Sequence, residues 1–132
     1  DGLDTPDGPI RAASVHLHWP WPYQQRPQVA ELAGAMRGWG TPAVIGGDFN
    51  MVRWSNALHE IAQASGTAPV GPARITLRNN RLVLNIAIDH VLATGGQGSN
   101  ELRPRAGSDH NGLLARIPVM PARSGADRTG RP

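Results

Sequence analysis

The sequence has no cysteine and no lysine, and only 6 of its 132 residues (Trp 4, Tyr 1, Phe 1) are aromatic. Without cysteine, disulfides, thiolate nucleophiles and cysteine-ligated zinc are all excluded. No stretch stays apolar over the roughly 18 residues that a membrane-spanning helix requires. Any catalytic or metal-binding site in this chain is therefore built without thiolate ligands.

All 13 basic residues are arginine, and the formal net charge is +3. Residues 121–132 hold 3 arginines against 1 aspartate, which gives +2. The other 120 residues hold 10 arginines against 9 acids, which gives only +1. A dedicated nucleic-acid-binding domain usually carries a basic face in its folded part. The charge therefore does not indicate a nucleic-acid partner, although arginine and tryptophan side chains leave that reading open as a third choice.

Length and composition predict one domain over residues 1–120 and a disordered tail over residues 121–132, which is rich in Gly, Ala, Arg and Pro. Because the chain begins at Asp1 rather than Met, we expect a processed or excised piece. Hydrophobic periodicity predicts strands over residues 10–18, 42–46, 73–77, 82–86, 88–93, 101–105 and 113–119. Helices are predicted over residues 24–36 and after the N-cap Ser55. This mixture predicts an α/β (α+β) fold, a mixed β-sheet with flanking helices.

Polar residues stand at the ends of the predicted strands, where α/β sheets form their ligand crevices. Carboxylates in such a crevice bind Mg²⁺ or Mn²⁺ through hard oxygens, and the metal neutralises phosphate charge. A histidine paired with an aspartate can activate water, and an asparagine amide can hold a phosphoryl oxygen. The residues concerned are His16, Asp48, Asn50, Asp89, Asp109 and His110.

Four short motifs carry a resemblance to a known superfamily. They are Val15-His16-Leu17, Gly47-Asp48-Phe49-Asn50, Ile88-Asp89-His90-Val91 and Gly107-Ser108-Asp109-His110. In this order and spacing they resemble successive motifs of the endonuclease/exonuclease/phosphatase superfamily, in the C-terminal half of its domain. The resemblance covers about residues 12–117. It implies half of a four-layer α/β/β/α sandwich, and a metal-dependent hydrolase of phosphoric esters.

The resemblance also implies roles. His16 would contact the scissile phosphate or assist the leaving group, and Asn50 would hold the phosphate. Asp48 would orient the nucleophilic water or lie near the metal, and Asp109 would help to bind Mg²⁺ or Mn²⁺. Asp89 would pair with the catalytic His110. The substrate would be a phosphoester in a nucleic acid, a nucleotide or a lipid head group.

This sequence also departs from the family pattern. The family's N-terminal half supplies an early Asn and a metal-binding Glu, and nothing before Val15 provides either. A lone half would expose an apolar sheet face, so we expect pairing with a missing N-terminal half or self-association. The alternative is a non-catalytic fragment or interaction module that retains the motif residues. Residues 16–22 are similar to a bacterial subgroup whose members often carry membrane-spanning helices, which implies a membrane-anchored parent.

Structural readings compete with functional ones at several positions. His16 and His18 lie two residues apart on one strand face and could form a metal pair. His90 points away from Asp89 and is expected to pack in the core. Trp19, Trp21 and Trp54 flank the predicted site, where substrate contact stays open, and Arg53 could bind phosphate.

Overall fold

The computed structural model of the protein describes residues 2–39, 42–79 and 84–118. Its two helices are α1 (Gln25–Met36) and α2 (Asn56–Ser65). Its strands are β1 (Gly2–Thr5), β2 (Gly8–His16), β3 (Ala43–Asp48), β4 (Thr67–Pro69), β5 (Leu77–Asn79), β6 (Leu84–Ile86), β7 (Asp89–Thr94), β8 (Ser99–Arg103) and β9 (Gly112–Arg116). The predicted α/β (α+β) class is confirmed.

Five strands form one mixed sheet in the order β1-β2-β3-β7-β4. The pair β2–β3 is parallel, and every other pair in this sheet is antiparallel. Two hairpins, β5–β6 and β8–β9, stand beside it as separate two-stranded sheets. The parallel pair requires a crossover, and α1 supplies it between β2 and β3.

A buried apolar stripe holds α1 in place, and residues at both ends of α2 define its limits. Buried Val29, Ala33 and Met36 form a stripe along α1. The side chain of Ser55 caps α2 by accepting a hydrogen bond from Leu58 N, as predicted. Gly66 ends α2 in the left-handed conformation that glycine adopts at low cost. Neither helix of the described chain is long and apolar enough to cross a membrane.

The two helices cover one face of the sheet, and the hydrophobic core lies between the helices and that face. Register places Ala13, Ile45 and Leu92 side by side on that face. The core cluster there includes Val15, Val29, Met36, Ile45, Phe49, Met51, Leu58, Ile61 and Leu92. The removal of these apolar side chains from water is the main force that holds the helices against the sheet.

The opposite face of the sheet is only partly covered. There Ser14 is exposed, while its neighbours Gly46 and Val91 are half-buried. A groove of about 540 Å³ lies over these residues, and Leu113 of β9 also lines it. We call this surface the free face. Residues at even positions of β2 and β3 and at odd positions of β7 project from it.

The strands differ from the prediction at several places. No strand was predicted before residue 10, but residues 2–5 form β1 because their backbone pairs with β2. No strand was predicted between residues 46 and 73, yet β4 forms there and pairs with β7. The strand predicted over residues 42–46 continues through Asp48, since Gly47 and Asp48 stay in register with β2 and β7. The strand predicted over residues 73–77 overlaps β5 only at Leu77. The predicted tail over residues 121–132 lies outside the described residues.

Gly47 and Gly34 provide a matched test of this packing. A Cβ atom at Gly47 would lie 2.0 Å from Val15 O, and its φ of +145° is strained for an L side chain. We therefore expect Gly47→Ala to lower the free energy of unfolding by about 3 kcal/mol. A Cβ at Gly34, inside α1, meets nothing within 4 Å, so Gly34→Ala should raise it by about 0.5–1 kcal/mol. Urea unfolding measures both, and equal effects would contradict the β2–β3 packing described here.

Candidate active site

Strand pairing places three polar side chains in one row at the end of the sheet where β2 and β3 terminate. His16 ends β2 and is in register with Asp48, which ends β3. Asp48 is in turn in register with Asp89, the first residue of β7. Because β7 runs opposite to β3, it begins at the edge where β2 and β3 end. All three side chains therefore project from the free face, close to one another.

His110 joins this row from the loop before β9. Its Nδ1 donates to Asp89 Oδ2 at 2.9 Å and lies 4.0 Å from Asp48 Oδ2. The loop is held by β5 and its preceding residue, because Leu77 forms a β-bridge with His110. In addition, Asn111 N donates to the backbone oxygen of Thr76 at 2.8 Å. The predicted pairing of Asp89 with His110 is thus present as a hydrogen bond.

Asn50 turns the chain immediately after β3. It adopts a left-handed backbone with φ 49°, and its N–H donates to Asp48 Oδ1 at 2.8 Å. Its side-chain Nδ2 donates to Leu17 O at 2.7 Å, which ties the ends of β2 and β3 together. One amide hydrogen and the amide oxygen remain for other partners. Asn50 therefore orients Asp48 and still lines the site.

These residues surround an open cavity of about 710 Å³. Asp48, Asp89 and His110 are each about four-fifths buried, with side-chain exposures of 18–19%. His16 stands at the mouth, 80% exposed, with its Nε2 3.8 Å from Asp48 Oδ2. The lining residues are His16, Leu17, His18, Trp19, Tyr23, Asp48, Asn50, Leu77, Asp89, Ser108, Asp109 and His110. A small polar group can reach the row from solvent.

The electrostatics of the row favour a cation. Burial raises the pKa of the Asp48 carboxyl above its usual value. The hydrogen bond from Asn50 N opposes this rise, and repulsion from the Asp89 carboxylate adds to it. A divalent cation near Asp48 would offset both the desolvation of its carboxylate and the repulsion from Asp89. Asp48, Asp89 and His110 each offer one ligand atom, and these atoms all lie within 4.8 Å of one another. The two carboxylates of this group offer the oxygen ligands that a hard cation requires.

The structure gathers the predicted catalytic residues and separates some alternatives from them. His16, Asp48, Asn50, Asp89 and His110 all line the cavity. Asp109 lines it as well, but its exposed carboxylate lies beside Ser108 Oγ, outside the three-residue metal group. His18, considered as a metal partner of His16, lies on the rim and outside that group too.

Two further alternatives are decided by burial and hydrogen bonding. His90 is 2% exposed, and its Nε2 donates to Met51 O at 2.8 Å, so the expected core packing is confirmed. Burial lowers the pKa of His90, which keeps the ring neutral. Arg53 donates to Gly71 O and is not among the described residues that line the cavity. This geometry does not favour the phosphate-binding reading of Arg53.

Sequence reasoning missed a residue that joins the two loops of the site. Gln25 is 4% exposed, and its Nε2 donates to His18 O at 2.5 Å and to Phe49 O at 2.9 Å. The loop after β2 is thereby fixed to the loop after β3. Nothing in the sequence distinguishes Gln25 from Gln24 or Gln28, because its role depends on a contact 24 residues away.

Neither a protein-family model nor a curated protein sequence matches this chain. Solved structures do match it. An endonuclease/exonuclease/phosphatase family protein from Leptotrichia buccalis is similar at 16% identity with a TM-score of 0.63, covering 88% of this chain and 50% of that one. Beta toxin 275-280 from Staphylococcus aureus is similar at 14% identity with a TM-score of 0.67, covering 87% and 55%.

These likenesses confirm the resemblance at the level of the fold. The chain has the fold of endonuclease/exonuclease/phosphatase proteins, and it spans about half the length of the solved structures that it matches. The site row therefore stands in the fold of these proteins.

Metal binding by this group can be tested without an activity assay. We expect Mn²⁺ titrated into the protein to bind at one site, and Asp48→Asn to weaken binding at least about tenfold because a charged ligand is lost. Asp4→Asn, on β1, is the matched control and should not change the affinity. Isothermal titration calorimetry measures both. Equal Mn²⁺ affinity in Asp48→Asn and the unchanged protein would contradict the proposed metal group.

Proposed function

We propose that this chain is the catalytic half of a metal-dependent hydrolase of phosphoric esters. The observation that carries the proposal is the convergence of Asp48, Asp89 and His110 in one open cavity. The fold shared with endonuclease/exonuclease/phosphatase proteins supports it. Function is favoured over a purely structural role, because two mostly buried carboxylates, 2.9 and 4.0 Å from His110 Nδ1, carry a desolvation cost.

The hydrogen bond between Asp89 and His110 gives each residue a part in the chemistry. Asp89 accepts from Nδ1–H, which leaves the lone pair on Nε2 of a neutral imidazole. Nε2 can then take a proton from an attacking water. Asn50 can hold a phosphoryl oxygen through its remaining amide hydrogen, and His16 at the mouth can meet the leaving group. A bound Mg²⁺ or Mn²⁺ would neutralise charge on the phosphate.

The same hydrogen bond limits the metal site. An Nδ1 that donates to Asp89 cannot at the same time bind a cation. The carboxylates of Asp48 and Asp89 then remain as ligands, and hard cations such as Mg²⁺ require about six oxygens. Water, Asp109 or another segment must supply the rest. We propose that an N-terminal half, or a second copy, contributes to the site by covering the free face.

Light scattering tests the second copy directly. The free face is only partly covered, and its groove accepts side chains. If two copies associate through this face, light scattering gives the mass of a dimer. Val91→Glu, which places a charge on the free face, should then restore the monomer, while Val52→Glu in the loop after β3 should not. A monomer at every concentration would rule out self-association and leave the missing half as the partner.

A second candidate function is that of a non-catalytic interaction module. The chain spans about half the length of the solved structures that it matches, and the metal group among its described residues has three members. It could therefore be an interaction module that retains these residues without turnover. Metal binding with no hydrolysis, even after addition of the other half, would favour this function.

Hydrolysis of bis-p-nitrophenyl phosphate and p-nitrophenyl phosphate with Mg²⁺ or Mn²⁺ tests the proposed chemistry. His110→Ala removes the proton acceptor and should lower the rate about 10²–10⁴-fold. His59→Ala is the control, since His59 is exposed on α2 and its side chain bonds only Gln63 among the described hydrogen bonds. A rate that His110→Ala leaves unchanged would refute the Asp89–His110 assignment.

A further inference from the structure

The protein exposes most of its few aromatic side chains. Of six aromatics, Phe49 is buried and Trp39 is half-buried beside Arg11. The other four are exposed: Trp19 at 38%, Trp21 at 85%, Tyr23 at 62% and Trp54 at 77%. We call these four residues the aromatic rim. Large aromatic side chains left in water, three of them within residues 19–23, mark an interaction surface.

The aromatic rim lies at the same edge as the catalytic row. Trp19, Trp21 and Tyr23 follow the end of β2, and Trp54 follows the end of β3. Trp19 and Tyr23 line the cavity that contains Asp48 and His110. A surface that binds the aromatic rim is therefore brought to the mouth of the cavity.

The loop that carries three of these aromatics is held in place. Gln25 fixes its end to the loop after β3 through His18 O and Phe49 O. His18 N donates to Gln28 Oε1 at 2.8 Å, which closes the loop onto α1. Pro20 and Pro22 restrict its backbone further. The tryptophans are thus presented outward by a restrained loop, which lowers the entropy lost on binding.

Charge distinguishes among the surfaces that could bind here. Residues 17–25 contain no Asp, Glu, Lys or Arg. Nearby, Arg26 is paired with Glu60, and Arg53 donates to Gly71 O. A polynucleotide needs unpaired cations along its path, and residues 17–25 provide none. An uncharged partner surface fits better.

We propose that the aromatic rim seats the catalytic edge on a phospholipid bilayer of zwitterionic lipid, and that the substrate is a phosphoester in a lipid head group. Tryptophan and tyrosine settle at the head-group level of a bilayer, where their amphipathic rings meet both water and hydrocarbon. This places the cavity at the depth of the lipid phosphates. A protein docked on the aromatic rim would instead cover the cavity mouth.

The substrate assignment rests on the proposed function. In that reaction the oxygen of water bonds to phosphorus as the P–O ester bond breaks, and the released alcohol takes up a proton. Membrane binding itself needs no catalysis. The two proposals can therefore fail separately.

Co-sedimentation with phosphatidylcholine vesicles tests the membrane surface. We expect the chain to bind these vesicles with a blue shift of its tryptophan fluorescence. Trp21→Ala and Trp54→Ala should each weaken partitioning about five- to tenfold, because each removes an exposed ring from the aromatic rim. Leu3→Ala, which removes an exposed apolar side chain on β1, is the matched control and should bind unchanged. His110→Ala should also bind unchanged.

The outcomes are distinct. No binding to phosphatidylcholine, or binding only when anionic lipid is added, would overturn the proposal. Retention on single-stranded DNA that Trp21→Ala abolishes would overturn it in favour of a nucleic-acid partner. If vesicles bind but neither lipid nor a water-soluble diester is hydrolysed, the membrane surface stands and the proposed hydrolysis fails. If a soluble diester is hydrolysed but vesicles do not bind, the hydrolysis stands and the membrane surface fails.

Discussion

The pairing of β3 between β2 and β7 determines where the chemistry can occur. The two partners run in different directions relative to β3, yet both keep register through its last residue, Asp48. His16, Asp48 and Asp89 consequently form one row on the free face. A slip of β7 by one residue would reverse its faces, burying Asp89 among apolar side chains and moving His90 into the cavity. The apolar contacts of Leu92 and the hydrogen bond of His90 to Met51 oppose such a slip.

Much of this arrangement could be predicted from local patterns. Asp89 stands in an apolar strand, and the period of two places His90 on the opposite face, where the structure buries it. The same pattern, together with four ordered motifs, predicted which residues converge. β1 and β4 could not be predicted in this way, because each is a short edge strand that forms through pairing with another strand rather than through its own apolar period. Gln25 was missed because its role depends on a contact with Phe49, which lies 24 residues further along the chain.

The hydrogen bond between Asp89 and His110 orients the imidazole, but it also restricts how a metal could be bound. Asp89 and His110 are close enough to share a hydrogen bond, so the imidazole is oriented and its tautomer is set. That arrangement removes Nδ1 from the ligands of a metal. A cation beside the carboxylate of Asp48, whose pKa is raised chiefly by burial, would stabilise its charged form. An orienting dyad and a metal site can coexist here only if further oxygen ligands reach the free face.

Under the two proposals, two surfaces of the molecule bind two different partners. The free face is lined by small and aliphatic side chains such as Ser14, Gly46 and Val91, which suits a second layer of protein packed at close range. The aromatic rim is made of bulky rings that stand out from restrained loops at one end of that face. A layer on the free face need not cover the aromatic rim, since the rings lie at the edge of the sheet. The proposed completion of the metal site and the proposed delivery of the substrate would therefore come from different directions and would meet at Asp48.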